Sequence, residues 1–178
     1  SPLRQAFLEQ ALEWISRGDI EGYMSRHQHD TDAQELWQYF QEVIGWVERI
    51  FPQYRSKLMK GLDWGRFYGE HKDDTMNAQK LEQRIVELIN DDEVGNQKGI
   101  YEYLLTGNEK TLSLRVFDNK TKVKIYESQK GICLVCNEHY DIEEMEADHI
   151  VPWSKGGKTV SDNCQMLCMM DNRTKSGK

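Results

Sequence analysis

An α+β chain is predicted from two observations. Apolar residues recur at helical spacing through roughly the first hundred positions, and all four cysteines crowd into the last quarter beside a short His- and Gly-bearing stretch. The reading divides the chain into a helical region over 1–109 and a second domain over 110–178.

The helical elements follow in order. Leu3, Phe7, Leu8, Ala11, Leu12 and Ile15 share one stripe behind Ser1-Pro2, a cap and first-turn pair, and Gly18 closes the segment. Leu36, Phe40, Val43, Val47 and Ile50 form a second stripe that stops at Pro52, and Leu81, Ile85, Leu88 and Ile89 form a third behind a capping Asn77. Between them, Tyr54 to Tyr68 is broken by Gly61 and Gly65 and reads as either a short helix pair or a packed loop. The polar run from Asp91 to Lys98 predicts a break before a short helix at Gly99 to Leu105. A further boundary at Asp118-Asn119 opens a helix through Val123 and Tyr126 that stops at Gly131. Trp37, Phe40, Trp46 and Phe51 read as packing, and His27, His29 and His71 as surface or core histidines.

Composition excludes some classes of function. There is no run of about 18 apolar residues and no basic start ahead of an apolar stretch, so a membrane span and a signal peptide are not expected and a cytoplasmic protein is. The unusual Ser1-Pro2 start suggests a chain cut from a longer one. The net charge of −7 lies entirely in the first 118 residues, because 119–178 hold nine Lys or Arg against nine Asp or Glu. The late bases Lys155, Lys158, Arg173, Lys175 and Lys178 can therefore still meet a phosphate backbone, with modest affinity.

Four cysteines gathered in one short segment argue for metal rather than for a disulfide framework. Cys133-Leu-Val-Cys136 has the two-residue gap that aims two thiolates at one zinc, and zinc wants four ligands in a tetrahedron. If the C-terminal segment is helical, Cys168 and Asp171 share a face, so Asp171 supplies an oxygen as the fourth ligand. A carboxylate is harder than a thiolate, and a weaker site is expected. The alternatives are packed free cysteines, or His139 in the fourth place; Cys164 is out of register and reads as core.

Between the halves of this knuckle lie Asp148-His149-Ile150-Val151-Pro152, Gly156-Gly157 and Asn163, and Asn172 with Lys175 follow directly after it. Phosphodiester hydrolysis needs a deprotonated water and a cation for the charge building on phosphate. An imidazole suits the first task near neutral pH, and hard oxygens suit the second. This ordered set resembles the HNH, or ββα-metal, endonucleases over about the last 50 residues. The resemblance implies a zinc-braced ββα-metal domain that cuts DNA with Mg2+ or Mn2+. It makes His149 the general base, Asp148 and Asn172 ligands of the divalent ion, and Asn163 the residue that steadies the histidine loop. Lys155, Lys158, Arg173 and Lys175 are its expected nucleic-acid contacts.

Phe51 to Arg55, Met59 to Gly65 and Ile100 to Gly107 are similar to the region before the HNH domain in GmrSD-like, modification-dependent anti-phage restriction enzymes. That similarity implies foreign or modified DNA as the target and an N-terminal nucleotide-binding domain absent from this chain. Two other readings stay open: a non-catalytic zinc-braced module that binds DNA or docks a partner, and an RNA-cleaving toxin.

Overall fold

The structure, a computed structural model, describes Arg4, Phe7 and residues 10–177. Leu3, Leu8 and the Ser1-Pro2 cap expected for the first helix lie outside the described residues, as does Lys178. Among the described residues the fold is mixed: helices throughout, with one small two-stranded sheet near the C-terminus. The chain forms two compact units, Ser1–Ser113 and Leu114–Lys178.

The first unit contains α1 (Ala11–Ser16), α2 (Ile20–His27), α3 (Gln34–Ile50), α4 (Ser56–Met59), α5 (Trp64–His71), α6 (Ala78–Ile89) and α7 (Ile100–Thr106). Local chemistry sets several of the ends. The side chains of Asp19, Asp63 and Asn77 accept from the backbone N–H of Gly22, Arg66 and Lys80, which satisfies donors that a helix start otherwise leaves unpaired. Tyr54 to Tyr68 forms the short helix pair α4 and α5, the second of which runs on to His71. Helix α2 was not among the expected elements; Ile20, Tyr23 and Met24 stand at helical spacing behind Asp19, but of the three only Tyr23 is buried.

The core gathers around Trp64. Phe51, Phe67 and Tyr101 pack their rings against it at centroid distances of 5.8, 5.6 and 5.6 Å, and its indole N–H donates to the Met59 carbonyl at 3.0 Å. The indole thus gains burial without leaving its polar group unpaired. Of the aromatic stripe read as packing, Phe40, Trp46 and Phe51 are buried, whereas Trp37 is about half exposed and only stacks on Phe40. The polar run 91–98 joins this unit, since the N–H groups of Gly95 and Asn96 donate to the Leu112 carbonyl.

The second unit contains α8 (Asn119–Gln129), β1 (Met145–His149), β2 (Cys164–Cys168) and α9 (Met169–Lys175). Asp118 caps α8 through the Thr121 N–H, and the helix ends in two left-handed residues, Lys130 and Gly131. The strands pair antiparallel, with Met145 opposite Cys168 and His149 opposite Cys164. Two strands alone are marginally stable, so the sheet needs cover. Met145, Met166, Leu167, Cys133 and Cys168 form its core, with Ile125 and Tyr126 of α8 packed against them. Gln129 completes the pairing of β2: its side-chain amide donates to the Met166 carbonyl and accepts from the Met166 N–H, both at 2.8 Å, as a neighbouring strand would. No helix among the described residues is long and apolar enough to cross a membrane.

Candidate metal and active centres

Two constellations sit in the second unit, and the backbone turn that starts at Cys133 builds the first. The Cys133 N–H donates to the Glu138 carbonyl and the Asn137 N–H to the Cys133 carbonyl, each at 2.9 Å, with Asn137 in the left-handed region. This tight turn brings Cys136 back beside Cys133. The strand register delivers Cys168, and the first turn of α9 delivers Asp171, whose N–H donates to the Cys168 sulfur at 3.4 Å. The four ligand atoms, three Sγ and one carboxylate oxygen, lie within 4.8 Å of one another. Tetrahedral zinc with sulfurs at about 2.3 Å separates those sulfurs by about 3.8 Å, so the group fits that ion.

The electrostatics suit a cation. Burial pushes the Cys133 thiol up, but backbone N–H groups of Cys168, Cys136 and Val135 donate to its sulfur and bring it below the ordinary thiol value. Side-chain hydrogen bonds from Cys168, Cys136 and Cys133 hold the Asp171 carboxyl below the usual range. Tyr140 places its hydroxyl 3.6 Å from the Cys136 sulfur. His139, the alternative fourth ligand, is not part of the group. Cys164 is buried in β2 away from it, and burial followed by the nearby Asp148 charge pushes its thiol up.

Asp171 makes a test of the zinc reading. Asp171→Cys is expected to tighten zinc retention and raise the melting temperature, because thiolate is the softer donor. Elemental analysis and thermal melts of both proteins check it; less than one zinc in each, with identical melting curves, would reduce the knuckle to packed cysteines.

The second constellation starts where β1 ends. Asp148 and His149 are the last two residues of the strand, and their side chains have different partners. Asp148 accepts from Gln165 Nε2 at 2.9 Å across the sheet and is ion-paired with Lys175 of α9, whose ammonium also reaches the His149 carbonyl at 3.0 Å. His149 lies against the Phe117 ring with centroids 4.4 Å apart, and its Nε2 is 2.9 Å from the Thr159 hydroxyl. That hydroxyl donates to the Arg115 carbonyl at 3.4 Å.

Asn163 ties the loop after His149 to its own far end. Its Oδ1 accepts from the Val151 N–H at 2.8 Å, its Nδ2 donates to the carbonyls of Val151 and Lys158 at 2.9 Å, and its own carbonyl accepts from the Ile150 N–H. Gly157 is required here, since a Cβ on it would lie 1.7 Å from the Val151 carbonyl oxygen. Lys155 and Lys158 are exposed on the same loop, and Arg173 on α9.

Asn172 is not brought onto Asp148 by any direct hydrogen bond. Its Nδ2 donates to Glu146 Oε2 at 2.6 Å, while its Oδ1 is buried and has no hydrogen-bond partner. A buried acceptor left unserved costs on the order of 1–3 kcal/mol, which a cation or water would relieve. The orphaned oxygen and the Asp148 carboxylate therefore fit the oxygen donors that a hard divalent ion takes.

Glu146, Gln165, Thr159 and Phe117 were not singled out in the sequence. Glu146 lies two residues before Asp148 on a strand, a period-two signal for a shared face; the other three depend on register and loop path. In the helical unit, His27 Nδ1 is 2.7 Å from Asp30 and 3.5 Å from Glu35, a surface cluster where the sequence had shown the histidine no metal-like partners. No curated protein and no solved structure matches the chain. Residues 133–178, which include the three clustered cysteines, Asp171, Asp148, His149, Asn163 and Asn172, match the HNH endonuclease family model, so the chain carries a segment similar to HNH endonuclease domains.

Proposed function

We propose that the chain is a metal-dependent endonuclease that hydrolyses phosphodiester bonds in DNA, the cutting part of an anti-phage restriction system. The observation that carries the nuclease reading is the placement of Asp148 and His149 as the last two residues of β1, with Lys175 and Asn172 presented by the next helix, inside the segment matched to HNH endonucleases.

In this reading Cys133, Cys136, Cys168 and Asp171 would hold a zinc and so tie α9 to the turn, and Asp148 and Asn172 would hold Mg2+ or Mn2+. When bound, the divalent ion would supply charge stabilisation to the phosphate and its departing oxygen. His149 takes the proton of the attacking water. Its Nε2 is engaged by the Thr159 hydroxyl at 2.9 Å, which makes Nδ1 the nitrogen assigned to the base. Asn163 holds the loop so that the ring stays put. Lys155, Lys158 and Arg173 meet the phosphate backbone, and Lys175 neutralises Asp148 until substrate and ion arrive.

The test is nicking of supercoiled plasmid by the zinc-loaded chain with Mg2+ or Mn2+, with EDTA as control. Asp148→Ala or Asn172→Ala is expected to lose activity and regain part of it at raised Mn2+. Cleavage by the wild type that survives EDTA overturns the metal mechanism, and no cleavage with either ion overturns the nuclease reading. The restriction role rests on the similarity of Phe51 to Arg55, Met59 to Gly65 and Ile100 to Gly107, several of whose residues, Phe51, Met59, Trp64, Ile100 and Tyr101, are core of the first unit. It predicts preference for modified over unmodified phage DNA, measured side by side, and an RNA substrate cut in preference to both would displace it.

A further inference from the structure

We infer that Glu146 is a positioning residue for Asn172: its carboxylate fixes which end of the Asn172 amide faces the divalent ion. The inference rests on the divalent-site reading above and concerns a residue that reading does not use.

Glu146 and Asp148 stand two residues apart on β1 and so share a face, opposite Leu167 and Gln165. Asn172 and Lys175 stand three apart on α9 and share a face of the helix. The two faces meet in two rungs, Glu146 with Asn172 and Asp148 with Lys175.

The rungs differ in what they can fix. A side-chain amide has an acceptor end and a donor end of nearly the same shape, so packing alone does not choose between them. An ionised carboxylate only accepts, and it can pair with the NH2 end alone. The 2.6 Å contact from Nδ2 to Glu146 Oε2 therefore determines that Oδ1 is the remaining end, and Oδ1 is the buried atom without a partner. Turned over, the amide would set its oxygen against the carboxylate and offer a donor where a cation needs an acceptor. The orientation of a metal ligand is thus held by a neighbour that need not touch the metal.

Glu146→Gln separates this role from bulk, because glutamine keeps the size but can pair with either end of the amide. In the zinc-loaded chain, Mn2+ affinity by titration is expected to fall about tenfold in Glu146→Gln, and the Asn172 side-chain NH2 resonance to move in the protein without Mn2+. Glu146→Asp, shorter but acceptor-only, is expected to bind Mn2+ more tightly than Glu146→Gln. In an Asn172→Ala background, Glu146→Gln is expected to change the affinity less than about twofold.

A full loss in the Asn172→Ala background would show that Glu146 acts by its charge and overturns the inference. So does an Asn172 resonance that stays in place in Glu146→Gln, which also decides the matter if Asn172→Ala binds Mn2+ too weakly to titrate. Unchanged Mn2+ affinity in Glu146→Gln, with a loss in Asp148→Ala, sinks the role of Glu146 and leaves the divalent site standing. Unchanged affinity in Asp148→Ala instead removes the divalent site and this inference with it.

Discussion

A folded His149→Ala protein is expected to cleave DNA at least ~100-fold more slowly than the wild type, with its zinc content and melting temperature unchanged. The expectation follows from what the ring touches. His149 is held by the face of Phe117 and by the Thr159 hydroxyl, and neither contact reaches the cysteine cluster or the core around Met145 and Leu167. Truncation removes a proton acceptor and two local contacts but no element of the sheet. Thr159→Val separates base from holder: it keeps the imidazole and loses the partner of Nε2, so a smaller loss and an altered pH profile are expected. Single-turnover rates on supercoiled plasmid check both, and wild-type-like cleavage by folded His149→Ala would refute the base.

Stripping zinc, or replacing Cys133 with Ser, is expected to unfold the second unit and abolish cleavage, whereas removing Mg2+ is expected to stop cleavage and leave the fold as it is. The asymmetry has a structural reason. Among the described residues the sheet has two strands, its core cluster holds five buried residues, and two of those are Cys133 and Cys168 themselves. A hairpin with so little cover does not stand alone, and structural zinc in small domains contributes apparent binding energies of about 10–16 kcal/mol. Cys133 is fully buried, so a serine there would bury an oxygen among apolar groups as well as lose the ligand. Asp171 is followed directly by Asn172, so loss of zinc also releases the helix that presents that amide. Elemental analysis, melting curves and backbone amide NMR of the chelated and mutant proteins test this. Native spectra and full nicking activity after zinc is stripped would remove zinc from the fold.

The longer helices were legible where a stripe of four or more apolar residues met a clear start or stop, as at Asn77 ahead of Leu81, Ile85 and Leu88, because both signals are local. Helix α2 has only the three apolar positions Ile20, Tyr23 and Met24 over two turns, too short a pattern to stand out. The knuckle was legible for the same reason: the gap from Cys133 to Cys136 and the helical step from Cys168 to Asp171 are properties of consecutive residues, and the structure brings all four ligand atoms together. The trio of His27, Asp30 and Glu35 was not, since its members join across the break between α2 and α3.

By itself, the sequence determined which residues are of the types that HNH chemistry uses, and in what order, since side-chain chemistry and short spacings need no fold to be read. Only the tertiary structure decided their partners. The pairing of β1 with β2 set Gln165 against Asp148, and the docking of α9 set Lys175 on Asp148 and Asn172 on Glu146. The path of the loop brought Thr159 to His149. These partners are separated by up to 27 residues along the chain, and no local spacing encodes a contact made by strand register and helix packing.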